Sequence, residues 1–262
     1  MLRIRTIAWI TWLEVIRRKD VYVLLILLGT LLVTLVSLDV FGLGGVVRYI
    51  TDVGLLMAWT FSWILAVSVG ARQLPQEEAR GTVFSLLAKP VSRIEAVTGK
   101  WLGAWGIVSS CTLLFYVLVI GVVLAKSGTI NAAALLQGYI LHVIALGVMS
   151  AIAVAFSTRL SHDAAASVSY VVTGAAFLVV PRIPEFMAQE PGFRGAFLMF
   201  LYHALPHFEV FDMRKRIVQD YGPANGITVL MVALYGLVLM ALVILVAWLA
   251  YRKKLFSRTH IG

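Results

Sequence analysis

The chain has 262 residues, of which 61% are hydrophobic and 13% charged, with a net charge of +9. A soluble domain carries roughly 25% charged residues, and a nucleic-acid binder gathers its basic residues in a polar patch. Here the charges flank long apolar runs, which excludes both classes and makes the bilayer the core. The one cysteine, Cys111, lies in an uncharged run; it excludes an intrachain disulfide and reads as a buried structural thiol.

Residues 2–19 predict an amphipathic helix in the membrane interface. Ile4, Ala8, Trp12, Val15 and Ile16 share one face, with Arg3, Thr6, Thr11, Glu14, Arg17 and Arg18 opposite. Ile7, Ile10 and Arg5 interrupt that pattern. The basic run Arg17-Arg18-Lys19 precedes a full-length apolar run with no small-residue cleavage site, so this segment is expected to be retained. A bilayer needs about 20 apolar residues per helix. Runs of that size predict six spans, at about 21–38, 53–71, 93–125, 134–157, 163–180 and 224–251. Between the last two, residues 181–223 form a long loop. Its 193–208 stretch is apolar but short, and His203, Pro206 and His207 interrupt it, so it is expected to re-enter or to lie at the interface.

One polar stretch stands out, residues 72–100, with eight charged residues in 29 positions between spans two and three. Pro75 suits a first helical turn, and Glu77 and Glu78 then sit at the favourable end of the helix dipole. Gly81 ends that turn, and Thr82 caps a second short helix through Val83, Phe84, Leu86 and Leu87. Pro90 forces Lys89 out of helical geometry. Ser92 and Glu95 make a capping box that starts span three. The stretch 75–92 is thus expected to hold a short helix crosswise, presenting Leu86 and Leu87 as an apolar anchor. Glu77, Glu78, Arg80, Lys89 and Arg93 form its polar rim. The orientation rule counts Lys and Arg alone. Fifteen fall on the side of this stretch and both termini, and seven on the other, five of them in the 181–223 loop. The stretch and both termini are therefore expected in the cytoplasm.

Gly99 and Gly103, and Ala165, Ser169 and Thr173 in span five, permit close helix approach, within the chain or between subunits. His142, with Gln137 and Tyr139 nearby, is an ionisable residue inside a span, which is a functional hypothesis by default. Its place near the span's outer end equally suits an ordinary hydrogen-bonded imidazole. His203 and His207 are four apart, with Met199 and Met213 as further soft donors. Pro206 distorts that turn and no Cys or carboxylate completes a set, so no metal site is assigned. No G-x-x-x-x-G-K-[ST], H-E-x-x-H or G-x-S-x-G occurs, so the chain neither cradles ATP in that manner nor reads as an enzyme. A membrane enzyme or ATP-independent carrier using His142 or His203 is the least supported reading.

Glu78-x-Arg80-Gly81-Thr82, Leu86-Leu87-x-Lys89-Pro90-Val91-Ser92-Arg93 and Gly99-Lys100-x-x-Gly103 together resemble the cytoplasmic coupling segment of type-2 ABC transporter permeases. Residues 201–214, LYHALPHFEVFDMR, resemble the segment before the last span in members linked to copper-enzyme maturation. The resemblance implies an all-α membrane protein with six transmembrane helices, an N-terminal interfacial helix and a short cytoplasmic coupling helix between spans two and three. Residues Glu77, Glu78, Arg80, Gly81, Thr82, Leu86, Leu87, Lys89, Pro90, Ser92 and Arg93 would dock an ATP-binding-cassette subunit. ATP and magnesium would be bound by that partner, and no cofactor by this chain. It further implies an inner-membrane homodimer, with span five at its interface, exporting a substrate. The alternative it implies is transmission of movement to an extracytoplasmic partner through His203, Pro206, His207, Phe208 and Asp212.

Overall fold

The computed structural model describes residues 2–16, 19–37, 46–79, 92–126, 128–187 and 193–252. Among them the secondary structure is entirely helical. In chain order the helices are α1 (Leu2–Ile16), α2 (Lys19–Ser37), α3 (Val46–Arg72), α4 (Pro75–Ala79), α5 (Arg93–Ala125), α6 (Ala132–Ser157), α7 (His162–Leu178), α8 (Ile183–Met187), α9 (Phe193–Ala204), α10 (Arg214–Val218) and α11 (Gly226–Arg252). Short 3-10 turns occur at Val180–Arg182 and Phe208–Phe211.

Five of these helical stretches are long and apolar enough to cross a membrane, those built on α3, α5, α6, α7 and α11. The sequence predicts six. The sixth, α2, is a 19-residue helix, apolar over the described residues Tyr22–Thr34 and continuing uncharged in the sequence from Val21 to Leu38. α3 also begins seven residues before the predicted span. Its early charges, Arg48 and Asp52, sit on the exposed side while Ile50 and Thr51 are buried, so counting uncharged residues alone placed its start too late.

α6 is the central helix, packed against α3, α5, α7 and α11. Lipid tails are as apolar as leucine, so helices in a bilayer associate through close packing and interhelical hydrogen bonds. α6 supplies both. A Cβ on Gly70 of α3 would lie 2.8 Å from Ala153 Cβ of α6, and Gly147 of α6 faces Met240 and Trp105 with equally little room. Trp101 and Trp105 of α5 donate their indole N–H groups to the Gly147 and Val143 carbonyls of α6, at 3.0 and 2.7 Å. Thr112 donates to Ser62 at 2.7 Å, joining α5 to α3. α11 touches the bundle along one narrow stripe, Gly236, Met240, Ile244, Ala247 and Tyr251, and turns its other faces outward.

α1 lies along α5, with a register different from the predicted one. Its buried stripe is Ile7, Thr11 and Val15, whereas Ile16 is exposed. The cause is on the partner helix. Cβ atoms on Gly99 and Gly103 would stand 2.9 Å from Ile7 and 2.5 Å from Thr11, and Gly106 faces the Trp12 ring. The glycine stripe of α5 selects the face of α1 that packs, and leaves Trp9, Ile10 and Leu13 exposed. Gly99 and Gly103 therefore make a contact within the chain.

The 181–223 loop is mostly helical. α9 has 12 residues and none is buried; at 1.5 Å per residue it is about 18 Å long, too short to span. The chain then turns inward, and Phe208 and Phe211 have no exposed surface.

Candidate coupling site

α3 stops at Arg72, and a tight turn follows in which the Gln73 N–H donates to the Gly70 carbonyl and its side chain to the Val69 carbonyl. Leu74 is 1% exposed and packs with Val97, Val154, Ala247 and Tyr251. That apolar seat, at the meeting of α3, α5, α6 and α11, fixes where Pro75 starts α4. Glu77 and Glu78 occupy the first turn of α4, as the sequence predicts.

On the far side of the stretch, Ser92 is extended and caps α5. Its N–H donates to Glu95 Oε2 at 2.8 Å, and the Glu95 N–H donates to Ser92 Oγ at 3.3 Å, so both halves of the capping box are present. The cap sets the phase of α5, which places Arg93, Val97 and Lys100 on one face. Lys100 is 3% exposed and forms an ion pair with Glu77. Arg93 Nη1 donates to the Tyr251 and Arg252 carbonyls at 3.0 and 2.7 Å. Neither contact follows from the sequence, in which the seven-residue spacing of Arg93 and Lys100 shows only that they share a face of α5.

A third polar link closes this end of the bundle. Arg72 Nε donates to His162 Nε2 at 2.8 Å, so the imidazole proton sits on Nδ1 and donates to Asp163 at 2.6 Å. This ties the end of α3 to the start of α7. Of the predicted docking residues, Arg80, Gly81, Thr82, Leu86, Leu87, Lys89 and Pro90 lie outside the described residues, as does the second short helix. Glu77, Glu78, Ser92 and Arg93 are described, and Arg93 is turned towards α11.

The other predicted sites fall elsewhere. Ala165, Ser169 and Thr173 are fully buried on the inner side of α7, where Thr173 accepts the Trp63 indole N–H at 2.8 Å and Ala165 packs on Ala71 and Ala153. They serve packing on α3 and α6, not an outer face; α7 exposes Val168, Val171 and Leu178 instead. His142 is fully buried and stacks on Trp59 with ring centroids 4.0 Å apart, its Nδ1 3.3 Å from the Tyr116 hydroxyl. In the loop, His203 is exposed, with Nδ1 bonded to the Met199 carbonyl, and Pro206 and His207 are half-buried. Phe208 and Asp212 correct the expectation of a partner contact. Phe208 is core, and Asp212 takes a two-pronged bond from Arg214 Nε and Nη2. The Arg214 guanidinium lies 6.0 Å over the Trp59 ring. Phe208 and Phe211 instead plug the end of the bundle.

A family model described as ABC-2 family transporter protein matches residues 57–254, from within α3 to just past α11. The chain belongs to the ABC-2 transporter family. As an ABC-2 permease it is a multi-pass membrane subunit of an ABC transporter, and the family implies an ABC ATPase subunit as its partner. No curated protein matches the chain. The stretch of the ABC-2 match contains the whole polar segment between α3 and α5, with its anchor at Leu74 and its cap at Ser92.

Proposed function

We propose that this ABC-2 permease couples ATP hydrolysis by a separate cytoplasmic subunit to export of a substrate. The observation that carries the reading is the Glu77–Lys100 ion pair beside the buried Leu74. A polar segment pinned this firmly at its membrane end behaves as a lever, and a solvated linker has no need of such pinning. Residues 75–92 dock the partner, with Leu86 and Leu87 as the apolar anchor and Glu78, Arg80 and Lys89 around it. ATP and magnesium are bound by the partner. The distribution of Lys and Arg supports a cytoplasmic position for this segment and for both termini, in the inner membrane. α2 is the sixth span and α1 the interfacial helix, its exposed Trp9, Ile10 and Leu13 set in lipid. Two copies work with two ATPase subunits. The buried side of α7 faces its own chain, so a contact between copies through this helix uses Val168, Val171 and Leu178.

A second reading is transmission of movement to an extracytoplasmic partner. The exposed Phe193, Phe197 and Phe200 along α9 favour it, since such a face is covered by lipid or by protein.

The test is purification of the tagged chain in mild detergent with identification of what accompanies it. An ABC ATPase that co-purifies, and is lost from a correctly folded L86D/L87D variant, supports coupling through 75–92. Recovery of the chain alone under several mild conditions sinks the reading. An additional extracytoplasmic protein moves the assignment from export to transmission.

A further inference from the structure

The geometry points to Arg93 as a positioning residue that ties the last span to the coupling segment, so that α11 carries the segment's movement across the membrane to residues 205–218. This rests on the coupling function proposed above.

Near the end of the described part of α11, the Tyr251 and Arg252 carbonyls accept from the single Nη1 of Arg93, and the guanidinium lies 6.0 Å over the Tyr251 ring. Arg93 is the first residue of α5. Two turns on, along the same face, Lys100 holds Glu77 of α4. One face of α5 thus grips the coupling segment with one cation and the end of α11 with another. Leu74, Val97 and Tyr251 fill the space between them.

The opposite end of α11 is attached as well. The Tyr235 hydroxyl accepts the His207 backbone N–H at 3.2 Å, and its ring stacks on Phe211 with centroids 6.0 Å apart. Neighbouring Gly236 lets Phe211 approach: a Cβ there would be 2.9 Å from the Phe211 ring. Sixteen residues of helix, about 24 Å, separate Tyr235 from Tyr251. Between them α11 is seated along a single stripe of small and flexible residues. A helix held at both ends and along one edge moves as a rod. Residues 205–218 also touch α3, through Arg214 over Trp59, and α3 leads directly into α4. The outer segment therefore rests on two rods whose cytoplasmic ends both meet the coupling segment, and a displacement of one against the other shifts it.

The test uses the complex with its co-purified ATPase in nanodiscs. Val210 is exposed and the native Cys111 is buried, so V210C accepts a bimane label specifically. Addition of Mg-ATP with vanadate is expected to change bimane emission in the parent complex. Arg93→Gln should reduce that amplitude at least fivefold, and Arg93→Lys, which can still donate to the carbonyls, should keep at least half. Tyr235→Phe, at the far end and distant from the docking segment, should also reduce it at least twofold. The inference is overturned if parent emission does not respond to nucleotide, or if the response survives in both Arg93→Gln and Tyr235→Phe. Loss of the ATPase from Arg93→Gln would instead make Arg93 a docking residue, which also overturns it. Absence of an ATPase from the parent overturns the coupling function itself, and this inference with it.

Discussion

Lys100 and Glu77 form an ion pair with 4% of the lysine side chain and 19% of the glutamate side chain exposed. The pair joins the polar segment to a membrane-spanning helix at a point where water is nearly excluded. Removing one member of a buried pair leaves an uncompensated charge, which is worth about 3–5 kcal/mol. The two removals differ here, because Glu77 still reaches some water when Lys100 is removed, while Lys100 without Glu77 does not. Glu77→Gln should therefore lower thermal stability in detergent more than Lys100→Met. The double variant should recover much of the loss. Equal and additive losses in a thermal-shift double-mutant cycle would show that the pair is not coupled.

The glycines of α5 decide how α1 sits. With 2.5 Å between a Cβ on Gly103 and Thr11 Cβ, and 2.7 Å to the Ala8 carbonyl, Gly103→Ala drives the two helices apart. Thr11 has no exposed surface in the parent, so a cysteine placed there in a Cys111→Ser background should resist thiol labelling. Adding Gly103→Ala is expected to raise the labelling rate about tenfold. Gly121 has open space around it, and Gly121→Ala should leave the rate unchanged.

Much of this arrangement can be read from residue order, and the limits have physical causes. Long uncharged runs gave the bodies of α3, α5, α6, α7 and α11 because burial in lipid selects composition directly. The capping box at Ser92 and Glu95 gave the start of α5 to the residue, because a cap is a local hydrogen-bond pattern. What could not be read was pairing across the chain. Nothing local to Lys100 announces that Glu77 lies beside it, and nothing local to Arg93 names the carbonyls of a helix 158 residues away. The face of α1 was misplaced for the same reason, since it is chosen by glycines on α5. Small residues of α7 announce a close contact without saying with what, and the contact is with α3 and α6.

Phe208 and Phe193 belong to one apolar stretch in the sequence and behave oppositely in the fold. Phe208 has no exposed surface, whereas Phe193 is 87% exposed. Phe208→Ala should cost about 3–5 kcal/mol through the cavity it leaves and release residues 205–218 to protease. Phe193→Ala should leave stability within about 0.5 kcal/mol of the parent, as expected of a surface site. Limited proteolysis of the two variants side by side reads the difference. Similar cleavage of both would mean that Phe208 is not a plug.

His142 is enclosed by rings, an environment that suits a structural role. Trp59 stacks on it in parallel, with 3° between the planes, and Tyr116 meets it from another side. Nε2 is buried without a hydrogen-bond partner among the described residues, while Nδ1 has only the 3.3 Å contact to the Tyr116 hydroxyl. His142→Phe keeps the flat surface for Trp59, gives up one long hydrogen bond and removes an unsatisfied buried nitrogen. These effects oppose one another, each on the order of 1 kcal/mol, so stability should stay near the parent's. His142→Ala leaves a hole beside Trp59 and should lose about 2–4 kcal/mol by comparison with other large-to-small core changes. If the residue only packs, His142→Phe retains nucleotide-stimulated activity of the complex while His142→Ala loses stability. A well-folded His142→Phe variant with no coupled activity would instead assign the imidazole a proton-handling or ligand-binding task, and with it a route from the buried ring to the membrane surface.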